Sequence, residues 1–212
     1  MANVLIVGKR GRCYRAALRM GHTVFLWSDG PLHESRKEKL AGWIETPFKS
    51  CEKQLLTTDI EAIEEFNIEF VIAATESSVD IAAMIRKQFK LTGTPLKTTN
   101  LLHNKNEMKL EALKHNIPIT KFHLISDQDT PEILAAKLGL PLVVKPVAES
   151  GARGVMVLNN LDEIKLHAKP GLLAEAFVDG TEVSVETFIH NGVPIFHNIT
   201  EYLHQWKKSI VP

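Results

Sequence analysis

The sequence predicts an α/β protein: a doubly wound parallel sheet followed by an α+β region with antiparallel strands. Three observations carry that reading. In the first half, unbroken β-favouring runs at residues 4–7, Thr23–Trp27 and 68–73 alternate with helical stretches, the pattern of parallel strands buried on both faces. In the second half, strand-like runs succeed one another with fewer helices between them. Asn191-Gly192 separates two such runs and is the preferred two-residue hairpin turn.

Each element follows from its local pattern. Residues 4–7 (VLIV) end at Gly8, and 12–20 read as a helix stopped by Gly21. The strand Thr23–Trp27 runs into Ser28-Asp29-Gly30. A short helix is expected over 60–66, a strong strand over 68–73 and an amphipathic helix over Val79–Phe89. Gly93-Thr94-Pro95 punctuates the chain and the pattern then changes, so two domains are expected, 1–98 and 99–212. Residues 105–115 read as a helix with Met108, Leu110, Ala112 and Leu113 as its apolar members. A strand at 122–125 precedes a helix over Pro131–Leu138, with proline at its start and Gly139 just past its end. Strands follow at 142–145, 155–158, 172–178, 183–189 and 193–200.

Composition narrows the function. A chain of 212 residues with 44% hydrophobic content can bury a core in one large or two small domains. Lys plus Arg equals Asp plus Glu at 25 each, so no net field recruits nucleic acid or an anionic membrane. No apolar stretch approaches about 18 residues and no signal peptide opens the chain, so a cytoplasmic protein is expected. Cys13 and Cys51 are too few for a disulfide framework and lack metal-ligand spacing. The histidines offer no convincing metal pair; His197 and Glu201 are four apart in a strand-to-loop region. Trp27, Trp43 and Trp206 read as packing or partner-facing residues rather than base-stacking platforms.

Two stretches carry candidate chemistry. "VGKRGR" follows a strand and opens a helix, where a dinucleotide fingerprint would sit. Only Gly8 and Gly11 are present, with Lys9, Arg10 and Arg12 crowding the turn, and Asp29 falls roughly where a ribose-binding acid would. A dinucleotide-dependent oxidoreductase using Gly8, Gly11 and Asp29 is the reading this permits; a tight βα turn is the plainer one. The second stretch, "VVKPVAESGARGVMVL", places Lys145 on a strand before a loop of small residues, whereas a P-loop has its lysine after the glycines and before a helix. Backbone N–H groups of residues 148–154 can close on phosphate oxygens, with Lys145 at the root of the loop as a point charge. Alternation puts Val183, Val185, Thr187 and Ile189 on one face, and Glu182, Ser184 and Glu186 on the other. Lys145 and a glutamate then line a common cleft if these strands share a sheet. A strand running out at Phe177-Val178 offers edge N–H and C=O groups to an adenine, and Glu182, beyond Asp179-Gly180, a carboxylate for ribose hydroxyls. Taken singly, these charges read more simply as solvated glutamates and a snorkelling lysine.

Together, in this order, they resemble the ATP-grasp superfamily, especially its carboxylate–amine ligase and biotin-carboxylase-like branches. "NKNEMKLEALKHNIPITKF" is similar to the family's opening, with Asn116 where glycine is common. "LPLVVKP" resembles its second lysine strand, and "AEAFVDGTEVSVE" its adenine hinge and ribose acid. The first half resembles the Rossmann-like pre-ATP-grasp domain. The resemblance implies that Lys105 and Lys145 bind phosphates, and that Ser150, Gly151 and Gly154 belong to the phosphate-covering loop. Glu175, Phe177 and Val178 would meet adenine and Glu182 the ribose. ATP and magnesium are the implied cofactors, with small carboxylate and amine substrates joined through an acyl phosphate, no nucleic acid or membrane partner, and a possible homodimer. Catalytic residues are not assigned.

One departure stands out. The family's magnesium ligands, a glutamate and a later Glu–x–Asn pair, lie on strands well after the ribose acid, and "FHNITEYLHQWKKSIVP" contains no such pair. The C-terminal part of the ATP-grasp fold is therefore expected to be missing, the metal ligands to lie beyond the end of the chain, and the chain to be inactive as it stands. Lys207 or Lys208 matches a basic phosphate or substrate residue of the biotin-carboxylase branch only loosely. A non-catalytic nucleotide-binding or regulatory module is the alternative function.

Overall fold

Short β-favouring runs make a parallel sheet in the first part of the molecule, and the order of its strands follows from the helices between them. The computed structural model describes residues 1–51, 53–149 and 151–203. The chain divides into two compact units, Met1–Glu111 and Ala112–Pro212. The first contains β1 (Asn3–Val7), α1 (Gly11–Arg19), β2 (Thr23–Trp27), α2 (Glu34–Lys37), β3 (Gly42–Ile44), α3 (Thr57–Phe66), β4 (Phe70–Ala73), α4 (Val79–Phe89) and α5 (Leu96–His103). The sheet order is β3-β2-β1-β4, every pair parallel.

Alternation along β1 and β2 builds two cores. Leu5, Val7, Phe25 and Trp27 pack with Ile63 of α3 and Ile81 and Ile85 of α4. Val4, Ile6, Val24 and Leu26 pack with Tyr14 and Ala17 of α1 on the other face. Helices thus cover both faces, the doubly wound arrangement the sequence predicts. Short elements escape the sequence pattern: β3 has three residues and α2 four, too few to show a period.

Two residues of the dinucleotide reading, Gly8 and Asp29, have structural duties. Gly8 has φ +108°, and a Cβ there would lie 2.6 Å from Thr75 Oγ1, so the turn after β1 requires glycine to pass the turn after β4. Asp29 accepts a hydrogen bond from the Phe48 N–H at 2.9 Å. Trp27 is fully buried and donates from Nε1 to Thr46 O at 2.8 Å. Trp43 is exposed with the Lys37 ammonium 5.2 Å above its ring, and Trp206 lies outside the described residues.

The division between units falls within α6 (Lys105–Lys114). Met108, Leu110 and Leu113 are exposed while Lys109 is buried, so the apolar set does not mark the packed face of this helix. Then follow β5 (Phe122–Leu124), α7 (Pro131–Leu138), β6 (Leu142–Pro146), β7 (Met156–Leu158), α8 (Leu161–His167), β8 (Leu172–Ala176), β9 (Val183–His190) and β10 (Val193–Glu201). β5, β8, β6 and β7 form one antiparallel sheet in that order. Leu134 and Leu138 of α7 and Ile164 of α8 pack against Leu142, Val144, Leu158 and Ala174 on one of its faces. β9 and β10 form a separate two-stranded antiparallel sheet. Its turn, Asn191 (φ +50°) and Gly192 (φ +76°), has both central residues left-handed, as the Asn-Gly pair demands.

Candidate functional site

Lys145 and Glu175 meet because β6 and β8 are antiparallel neighbours. The register pairs Val143 with Glu175 and Lys145 with Leu173, so the two charged residues are diagonal on one sheet face. That face is opposite the one bearing Leu142, Val144 and Ala174. Lys145 Nζ stands 2.8 Å from Glu175 Oε1, with the lysine side chain 20% exposed and the glutamate 10%. So little exposure makes each charge costly alone, and the pair offsets the desolvation of both.

At one end of this face β6 runs through Pro146 into an exposed turn, and β7 returns with Met156 opposite Val144. Gly151, Ala152 and Gly154 all have positive φ, between +58° and +69°. A Cβ on Gly154 would come within 2.9 Å of Pro146 Cγ, so the closure of this turn needs glycine. Glu149 and Arg153 are 3.5 Å apart on the surface, a contact of little energetic weight. Ser150 lies outside the described residues.

At the other end β8 stops at Ala176, two residues earlier than its apolar run implies. The Phe177 N–H donates to Pro141 O at 3.3 Å, and Thr120 Oγ1 donates to Ala176 O at 3.0 Å. The edge expected to be free at Phe177 is therefore occupied by the segment leading into β6. Val178 is 69% exposed. Glu182 is half-buried just before β9, and its carbonyl accepts from the Tyr202 N–H at 2.9 Å, extending the hairpin by one pair.

The shared cleft takes a different form from the one expected. β9 is not in the sheet of β6, so neither Glu182 nor Glu186 lies on a strand beside Lys145. Glu175 is the glutamate that does. Spacing alone could not distinguish them, because β6 is joined to β8 by pairing far along the chain. On the hairpin the predicted alternation holds: Glu186 accepts from Asn198 Nδ2 at 2.9 Å on one face, and Thr187 meets His197 Nδ1 at 3.1 Å on the other. Lys105 opens α6 in the first unit, where the Asn104 side chain accepts from the N–H groups of Asn106 and Glu107 at 3.0 and 3.2 Å.

A second polar cluster escaped the sequence reading. Asp129 Oδ2 accepts from the Ser126 N–H and hydroxyl at 2.9 and 2.7 Å, His123 Nε2 lies 2.9 Å away, and Lys137 Nζ donates to Oδ1 at 3.1 Å. The Ser126 donors, then His123 and Lys137, hold the Asp129 carboxyl far below the usual carboxylate range. A pocket of about 390 Å³ adjoins it, lined by Leu113, Lys121, Phe122, His123, Lys137 and Leu138 among others. His123 pairs with Ala174, on the opposite sheet face from Glu175. The serine three residues before an aspartate was the available signal, a local side-chain turn.

No family profile matches the chain. The L-arginine-specific L-amino acid ligase of Bacillus subtilis is 24% identical over 155 residues, covering 68% of this chain and 38% of the ligase. The crystal structure of an L-amino acid ligase from Bacillus licheniformis superposes with a TM-score of 0.72 at 21% identity, over 95% of this chain and 49% of that one. The biotin carboxylase domain dimer of a Hydrogenobacter thermophilus 2-oxoglutarate carboxylase, in complex with MgADP, ADP and bicarbonate, gives 0.66 at 18% identity, over 86% and 46%. The homologues and structural neighbours of this chain are ATP-grasp carboxylate–amine ligases, the superfamily its motif series resembles. The chain spans under two thirds of each of these three proteins. No helix among the described residues is long and apolar enough to cross a membrane.

Proposed function

We propose that this chain is the ATP-binding portion of an ATP-dependent carboxylate–amine ligase acting through an acyl phosphate. The observation that carries the reading is the layout of one sheet face. Lys145 stands beside a small-residue turn at one end of β6. The exposed Val178 follows β8 at the other end, where Ala176 pairs with Leu142. Residues 142 and 145 are about 10 Å apart along a strand at ~3.3 Å per residue. That spacing suits a nucleotide with its base at Phe177-Val178 and its phosphates at Lys145 under the turn containing Gly151 and Gly154. Glu175 belongs to the same face, and Glu182 is assigned the ribose.

The chemistry is charge neutralisation. A phosphoryl group transferring to a carboxylate carries negative charge that positioned cations stabilise. Lys145 supplies part of it. Magnesium supplies Lewis acidity where carboxylates hold it; among the described residues no three His, Cys, Asp or Glu side chains converge to do so. Amino acids, which carry both a carboxylate and an amine, are the substrate class suggested by the ligase relatives. Calorimetry tests the site. Lys145→Met and Glu182→Ala should each weaken ADP binding at least tenfold, and ADP affinity equal to the parent's in both variants would sink the assignment.

A further inference from the structure

We propose that the pocket beside β5 is a binding site for a small carboxylate carrying an apolar chain, separate from the nucleotide face. The pocket lies within the second unit, between the end of α6, the segment leading into β5 and the last turn of α7. β5 is the outermost strand of its sheet, and His123 lies on the face opposite Glu175. At about 390 Å³ the pocket falls within the roughly 300–1,000 Å³ usual for small-molecule sites. Its walls are of two kinds. Leu113, Ile119, Phe122 and Leu138 are apolar, and Leu113 is 52% exposed, a surface that a bound chain would remove from water. Lys121 and Lys137 bring positive charge, and no acidic residue lines the pocket. Asp129 sits behind His123 and Lys137, its two oxygens already accepting from Ser126, His123 and Lys137. It offsets one lysine and leaves the other in excess, so with His123 neutral the pocket holds one net positive charge. Lys137 has three donors, and its bond to Asp129 leaves two for a ligand. A monocarboxylate matches that charge, and its chain matches the leucine-lined wall. An amino acid matches it poorly, because its α-ammonium would meet the lysines while the one nearby carboxylate is occupied and 5% exposed. The pocket thus favours a carboxylate without an amine.

Isocaproate, which is leucine without its ammonium, is the probe; leucine, isohexanol and acetate each remove one feature of the match. All four would be titrated into the isotope-labelled 212-residue chain and followed by amide NMR. Isocaproate should bind with a Kd of about 1 mM, shifting the amides of Leu113, Lys121, His123 and Leu138 and not those of Lys145 or Gly154. The other three should each bind at least about tenfold more weakly, lacking the charge match or the buried chain. Lys121→Met and Leu113→Ser change exposed positions, and thermal melts would confirm that both variants fold. Each should weaken isocaproate about fivefold or more, from one lost charge or one lost apolar contact. Leucine or isohexanol binding as tightly as isocaproate would overturn the charge argument. Acetate binding as tightly would leave an adventitious ion only. Unchanged affinity in both variants, or no saturable shift at these residues, would overturn the site itself. ADP binding at Lys145 is untouched by every one of these results, so the two sites stand or fall separately.

Discussion

At the scale of single residues, Asp129 links structure to pH. Its carboxylate is 5% exposed and accepts from Ser126, with His123 and Lys137 beside it. Because its folded-state pKa is depressed, the folded chain binds fewer protons than the unfolded chain below the ordinary aspartate value of about 3.9. The stabilisation is therefore complete above that value and is lost as pH falls through the lower folded value. Asp129→Asn should cost about 1–3 kcal/mol at neutral pH, from donors left without their charged acceptor. Urea melts should show that gap unchanged from pH 7 to 5 and shrinking below 4. A gap that stays constant down to pH 2 would mean the charge contributes nothing. Gly154→Ala probes the turn beside Lys145. A left-handed φ of +69° and a Cβ 2.9 Å from Pro146 Cγ predict a loss of about 1–3 kcal/mol. Lys145 itself was legible in the sequence, since a lysine among β-branched neighbours before a small-residue loop stands out. Its partner was not: Glu175 and Glu182 look alike until strand pairing places one in the sheet and the other outside it.

Secondary elements differ in how firmly they are held. The described residues of the turn at 148–154 are all exposed, with Gly154 approaching Pro146. Trypsin should cut after Arg153 before it cuts within β1–β4, and ADP should slow that cut. Early cleavage confined to the first unit would contradict a phosphate-covering role. The hairpin β9–β10 shows apolar side chains on both faces, with Val185, Phe188, Ile195 and Ile199 all at least 60% exposed. A two-stranded sheet without a covered face is marginal, so its amides should exchange at least tenfold faster than those of β6 and β8. Long periodic elements such as α4 and α7 read directly from the sequence. The helix α8 did not, although its Asn160 cap and Glu163 three residues on form a capping pair, with the Glu163 N–H donating to Asn160 Oδ1 at 2.9 Å. Its three apolar positions were too few to show a period.

At the scale of the whole molecule, the alternating pattern of the first half and the hairpin signals of the second were enough to place the chain in its fold class. The assignment of strands to two separate antiparallel sheets was not, because long-range pairing leaves no local trace. The ligase reading also predicts a limit. In that reading Lys145 is one of several cations that phosphoryl transfer needs, and losing one well-placed electrostatic contact typically costs about 100- to 1000-fold. The 212-residue chain, given ATP, magnesium and a panel of amino acids, should release phosphate at a rate far below the ~1 s⁻¹ or more usual for enzymes. Turnover at an ordinary ligase rate would direct attention to Glu186 and Glu201 as metal ligands.

The central claim, that a nucleotide lies along the Lys145–Glu175 face of the second unit, is tested most directly by a crystal structure of the chain with ADP. The phosphates should lie within hydrogen-bond distance of Lys145 Nζ beneath the turn containing Gly154, with the base at the Phe177-Val178 backbone. ADP at the Gly8–Gly11 turn of the first unit, or in the pocket beside His123 and Lys137, would contradict the account.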